Sequence, residues 1–102
     1  MPNWVDVASE AACPEGSALE VVAAGRMVAL YHTSDGMFAT DGMCAHQGGP
    51  LGQGQLCGKI VTCPWHGWQY DVTTGKHELS SIHLDCFEVK VEAGRIWVDV
   101  TE

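Results

Sequence analysis

The sequence predicts an all-β fold, an antiparallel barrel or sandwich, and three observations point to it. Short runs of alternating apolar and polar residues follow one another at close spacing, bounded by turn residues. Twelve glycines in 102 residues suit many tight turns. No helical periodicity extends beyond about two turns.

The elements follow in order. Trp4-Val5-Asp6-Val7 alternates as a half-buried strand does, and Pro14-Glu15-Gly16 is a turn. Ala18 to Ala23 and Arg26 to His32 flank Ala24-Gly25, a hairpin signal. Ser34-Asp35-Gly36 turns into Met37-Phe38-Ala39-Thr40. Met43 to Gly58 is glycine-rich and lacks a clear strand, so it reads as an ordered functional loop or small subdomain. Lys59 to Thr62 leads into Cys63, and Trp68-Gln69-Tyr70-Asp71 follows. Thr73-Thr74-Gly75-Lys76 is another turn. Cys86 to Val91 and Arg95 to Val100 form a last hairpin around Ala93-Gly94.

A chain of this length is one small domain over residues 1–102, and its 46% hydrophobic residues suffice for a core. Five basic against thirteen acidic residues leave a net charge of −8. That charge argues against nucleic acid and anionic membrane as partners. It favours a basic protein partner. No apolar run is long enough to span a membrane. The N-terminus Met-Pro-Asn-Trp-Val-Asp lacks the basic start and apolar centre of a signal peptide. A cytoplasmic setting is therefore expected, where cysteines serve more often as metal ligands or thiols than in disulfides.

Two clusters stand out: Cys44-Ala45-His46, and Cys63-Pro64-Trp65-His66-Gly67. They make a C-x-H pair and a C-x-x-H pair, each just beyond a strand-like run. Two loop tips facing each other would each offer one thiolate and one imidazole. Two chance pairs in a loop-rich protein are the plain alternative. A four-coordinate zinc module for protein interaction is a second, but a pair with one intervening residue fits the usual zinc spacing poorly.

With these residues in view, the sequence resembles the Rieske [2Fe–2S] family. The resemblance covers residues 4 to 100, with Gln47-Gly48-Gly49-Pro50-Leu51 after the first pair and Gly67 with Tyr70-Asp71 after the second. It implies the Rieske fold, a cluster-binding part over residues 43–68, and one [2Fe–2S] cluster held by Cys44, His46, Cys63 and His66. In that family both cysteines bind one iron and both histidines the other.

The ligand types carry the chemistry. Two ferric ions, two sulfides and two thiolates sum to neutrality when the imidazoles are neutral, whereas four thiolates would leave a dianion. An electron enters a neutral centre more easily. The potential therefore rises to about −150 to +300 mV, against about −400 mV for plant-type ferredoxins.

The high-potential members of respiratory complexes carry an extra, disulfide-forming cysteine in each box. Gly49 and Trp65 stand there in this sequence. Those members also place a serine two residues after the second histidine, where this sequence has Trp68; Tyr70 keeps the family's tyrosine. Fewer hydrogen bonds to sulfur imply a low potential within the range. The family's covering loop often contains proline, which Glu78-Leu79-Ser80-Ser81-Ile82 lacks.

The remaining residues read more plainly. Cys57 is a structural thiol, and Cys13 and Cys86 are small hydrophobes, with Cys86 partly exposed. His32, His77 and His83 are expected at the surface. Trp65 and Trp68 either shield the site or fill the core beneath it. Asp6, Glu10, Glu15 and Glu20 form a solvated face or a docking face.

The resemblance implies a ferredoxin, an electron carrier and not an enzyme by itself. It would pass single electrons from a reductase, of the flavin-dependent kind, to a terminal oxygenase such as a ring-hydroxylating dioxygenase. It is expected to be monomeric and to dock electrostatically. The small Rieske-like subunit of an assimilatory nitrite reductase is the runner-up, set second because all four ligands are present here. Oxygenase large subunits also begin with such a domain, but this sequence holds no stretch for a mononuclear iron domain.

Overall fold

The computed structural model describes residues 3–43, 49–65 and 67–100. Nine strands run in chain order: β1 (Trp4–Ser9), β2 (Ala18–Ala23), β3 (Arg26–Thr33), β4 (Gly36–Asp41), β5 (Gln55–Cys57), β6 (Ile60–Thr62), β7 (Gln69–Asp71), β8 (Cys86–Glu92) and β9 (Arg95–Asp99). Two single 3₁₀ turns, Glu10–Ala12 and Leu51–Gln53, complete the described elements. The all-β expectation holds, and every strand pair is antiparallel.

Six strands form one sheet in the order β1-β9-β8-β4-β3-β2. Its two edge strands, β1 and β2, approach each other, so the sheet nearly closes into a barrel. The smaller sheet is β5-β6-β7.

Both Ala-Gly hairpin signals are realised. Ala24 and Gly25 have φ of 53° and 78°, and Ala93 and Gly94 have 53° and 75°. Two successive positive φ values match the right-handed twist of the flanking strands, which is why such two-residue turns close hairpins.

The core explains how the two sheets are joined. Side chains on a strand alternate between faces. On β3, Val28 and Leu30 enter one cluster with Cys13, Val21, Ile96 and Val98. Ala29 and Tyr31 enter a second with Leu51, Val61, Cys63 and Tyr70. All four β3 residues are fully buried. Strand β3 is thus the wall between the barrel interior and the core under the small sheet. The Tyr31 hydroxyl donates to Thr40 Oγ1 at 2.9 Å, and Thr40 in turn donates to the Asp41 carbonyl at 3.0 Å. Burial pushes the Tyr31 phenol well above its ordinary pKa, so it remains a donor.

One segment departs from expectation. Met43 to Gly58 was expected to lack a strand, yet it contains β5, paired Gln55 to Thr62, Leu56 to Val61 and Cys57 to Ile60. Three residues are too few to show a period. The strand exists because β6 has an edge to fill and Leu56 a core to meet.

Candidate metal centre

The second box sits between β6 and β7. The Cys63 amide donates to the Trp68 carbonyl at 2.7 Å, closing the loop between the two strands. Gly67 takes φ of 71° within that turn, a conformation costly for any residue with a Cβ. Cys63 is buried at 1% exposure.

The first box follows β4. Its loop is closed by a bridge between Met43 and Pro50, by Gly42 N–H to the Met27 carbonyl at 3.0 Å, and by Leu51 N–H to the Gly42 carbonyl at 2.9 Å. Of the four expected ligands, Cys63 is placed by the structure. Cys44, His46 and His66 lie outside the described residues.

The described flanks nevertheless meet. A Cβ built on Gly49 would lie 2.7 Å from Cys63 Sγ and 3.1 Å from Trp65 Cβ. The end of the first box therefore packs directly on the second. That close approach is possible only without a side chain at position 49. A buried thiol beside bare backbone, between two closed loops, fits a cysteine-ligated cluster: the donor is soft, and water is excluded. Held there, Cys63 would supply one thiolate.

The two tryptophans divide the roles considered for them. Trp65 is 50% exposed. Trp68 packs on the core cluster that contains Cys63. Its ring also lies 4.3 Å from His77, tilted by 39°. Met43, at the base of the first loop, is exposed as well. The rim thus presents two apolar side chains.

The stretch Cys44 to Gly67 contains one charged residue, Lys59. Lys59 Nζ lies 3.4 Å from Asp71 Oδ2 and is neutralised by it. Glu10, Glu15, Asp35, Glu88 and Glu92 are exposed on the scaffold.

The other cysteines and histidines distribute largely as read. Cys13 is fully buried, and Cys57 and Cys86 are exposed thiols. Burial first, then Asp85 and Asp71, push the Cys86 thiol up, which disfavours the reactive thiolate. His32 Nδ1 bonds the Cys13 carbonyl at 2.8 Å, and His83 Nδ1 the Ser81 carbonyl at 2.8 Å.

His77 is a correction. Expected at the surface, it is buried at 6% exposure, because the segment after the Gly75 turn folds back over β7. Its alternation with exposed neighbours carries no sign of this in sequence. Among the described residues, no helix is long and apolar enough to cross a membrane.

The family model for the Rieske [2Fe-2S] domain matches residues 3–88. The ferredoxin component of the naphthalene 1,2-dioxygenase system of Pseudomonas aeruginosa is 31% identical over 101 residues, covering 97% of each chain. The ferredoxin component of the naphthalene 1,2-dioxygenase/salicylate 5-hydroxylase systems of Ralstonia sp. is 34% identical over 96 residues and 92% of each chain. A chain from the complex of reduced oxygenase and oxidized ferredoxin in carbazole 1,9a-dioxygenase superposes with a TM-score of 0.84 at 30% identity, over 94% of this chain and 92% of that one. A putative nitrite reductase small subunit superposes with a TM-score of 0.80 over 94% of this chain and 97% of that one, at 16% identity. That last likeness is one of fold alone.

Proposed function

The chain belongs to the Rieske [2Fe-2S] domain family, and from that premise we propose that it is the ferredoxin component of an aromatic-ring oxygenase system. The observation that carries this reading is the match, over 97% of both chains, to a protein that is itself such a component. Nitrite reductase small subunits share the fold at about half that identity, so that alternative stands second.

The cofactor is one [2Fe–2S] cluster, with Cys44, His46, Cys63 and His66 as ligands and residues 43–68 as the binding part. A cluster of this kind supplies storage for one electron at a time. The chain's own residues do the rest. Gly49 leaves room beside Cys63 Sγ, and the Cys63–Trp68 hydrogen bond fixes the thiol's backbone. Trp68 and the core beneath it keep water from the inner side. Trp65 and Met43 offer an apolar rim on the outer side.

The partners in this reading are a flavin-dependent reductase and a terminal oxygenase, met in the cytoplasm by a monomer. The net charge of −8 would draw basic surfaces toward it over long range. The apolar side chains of Trp65 and Met43 would then make the close contact that electron transfer requires. Substrate chemistry belongs to the oxygenase.

Metal and sulfide analysis tests the reading. Two irons and two acid-labile sulfides per chain are expected, together with a red-brown colour. His46→Ala and His66→Ala should each lose or destabilise that colour. Stoichiometric zinc without sulfide would overturn the reading, and an unchanged spectrum in either variant would remove that histidine from the ligand set.

A further inference from the structure

Among the described histidines only His77 is buried, and its hydrogen bonds determine which nitrogen carries the proton. The Leu79 amide points at His77 Nδ1 from 3.4 Å, and Ser80 Oγ lies 2.9 Å from the same atom. An amide N–H can only donate, so Nδ1 is an acceptor. The Ile82 amide donates to Ser80 Oγ at 3.2 Å, which leaves the Ser80 hydrogen for Nδ1. His77's own amide donates to the Ile82 carbonyl at 2.8 Å. The loop 77–82 is thus tied into a ring through one imidazole nitrogen.

The other side of that ring is the second box. The imidazole lies 4.3 Å from the Trp68 ring and meets Tyr70 edge-on at 5.3 Å. The Glu78 amide donates to the Gln69 carbonyl at 3.0 Å, tying the loop to β7. Trp68 in turn accepts the Cys63 amide at 2.7 Å. Between loop and box lies a groove of about 390 Å³, walled by Trp68, His77, Glu78 and Leu79. This is the segment in which the sequence lacks proline, so some other device must hold it.

We propose that His77 is a positioning residue. Through its Nδ1 it gathers Ser80 and Leu79, holds the 77–82 loop against Trp68, and so limits water at the Cys63 box. The inference rests on the reading of that box as a cluster site. Its consequence is electrochemical. Reduction adds one negative charge, which water stabilises, so a loosened loop raises the potential. A staple that only shaped the loop would leave the potential alone.

Three variants of the iron-loaded protein separate the cases. Ser80→Ala removes an exposed hydroxyl and leaves the core untouched. His77→Phe keeps a ring against Trp68 and loses the acceptor. His77→Asn restores a hydrogen-bonding atom near the Nδ1 position.

Voltammetry should show the midpoint moving upward in Ser80→Ala and His77→Phe and returning toward wild type in His77→Asn. Amide exchange should quicken about tenfold at Ile82 in Ser80→Ala and at Leu79 in His77→Phe, as expected for losing one hydrogen bond.

Iron-loaded Ser80→Ala and His77→Phe proteins with the wild-type potential would overturn the proposal. Should His77→Phe not fold, Ser80→Ala decides alone. A wild-type chain that holds no iron and sulfide would instead overturn the site reading on which the proposal rests.

Discussion

Gly49 stands against Cys63 so closely that a Cβ on the glycine would come 2.7 Å from the sulfur. The two residues belong to different loops, and their contact brings the boxes together. The same virtual atom lies 3.1 Å from Trp65 Cβ. Positions 49 and 65 are thus face to face, as expected of the pair that carries cysteines in disulfide-bearing members of the family.

Gly49→Ala should therefore push the loops apart. Overpacking of a tight site costs about 1–3 kcal/mol. Lower iron content and a lower urea midpoint are expected together. Wild-type values for both would mean that the contact yields without cost.

Asp71 predicts an acid-side dependence of stability. Burial alone would raise its carboxyl, but the Thr73 hydroxyl and amide and the Lys59 ammonium together outweigh it and hold it below its ordinary value. Thr73 Oγ1 and N lie 2.6 and 2.9 Å from Asp71 Oδ1. A depressed carboxyl pKa stabilises the fold above the unfolded value, about 3.9. That stabilisation is lost as pH falls through the folded value. Wild type and Asp71→Asn should differ in urea midpoint at pH 6 and converge toward pH 3. A constant gap would assign the effect to shape rather than charge.

Ala24 and Ala93 hold positive φ in their hairpin turns, which costs an L-residue about 1 kcal/mol. Ala24→Asn and Ala93→Asn should each stabilise the protein by about 0.5 kcal/mol, because asparagine tolerates that region better. Denaturation midpoints check this, and a fall in both would show that neither turn is strained.

The potential should lie near the low end of the Rieske range, about −150 mV. Gly49, Trp65 and Trp68 stand where higher-potential members carry two cysteines and a serine. Voltammetry giving more than about +150 mV would contradict the assignment.

Reduction by the reductase should slow with salt. Steering by a net charge of −8 fades as the Debye length falls from about 30 Å at 0.01 M to about 3 Å at 1 M. Stopped-flow rate constants across that series are the check. A level profile would leave the charge with a role in solubility only.

The sequence by itself determined every described strand except β5, both Ala-Gly hairpins and the two Cys/His boxes, because each is a local pattern. Alternation within a few residues sets a strand, and paired turn residues set a hairpin. The boxes were legible as candidate ligand pairs because metal chemistry prescribes donor types and spacing.

Tertiary structure alone decided what covers each face. Ala29 and Tyr31 are buried because the small sheet's core closes over that face of β3. Strand β5 exists only because β6 offers it an edge. His77 became a buried acceptor because the chain after Gly75 doubles back on β7. Gly49 met Cys63 because two loops, separate in sequence, share one end of the fold. Period and propensity describe a residue's neighbours along the chain. Burial and close contact depend on neighbours across it, and those arise only when the strands have paired.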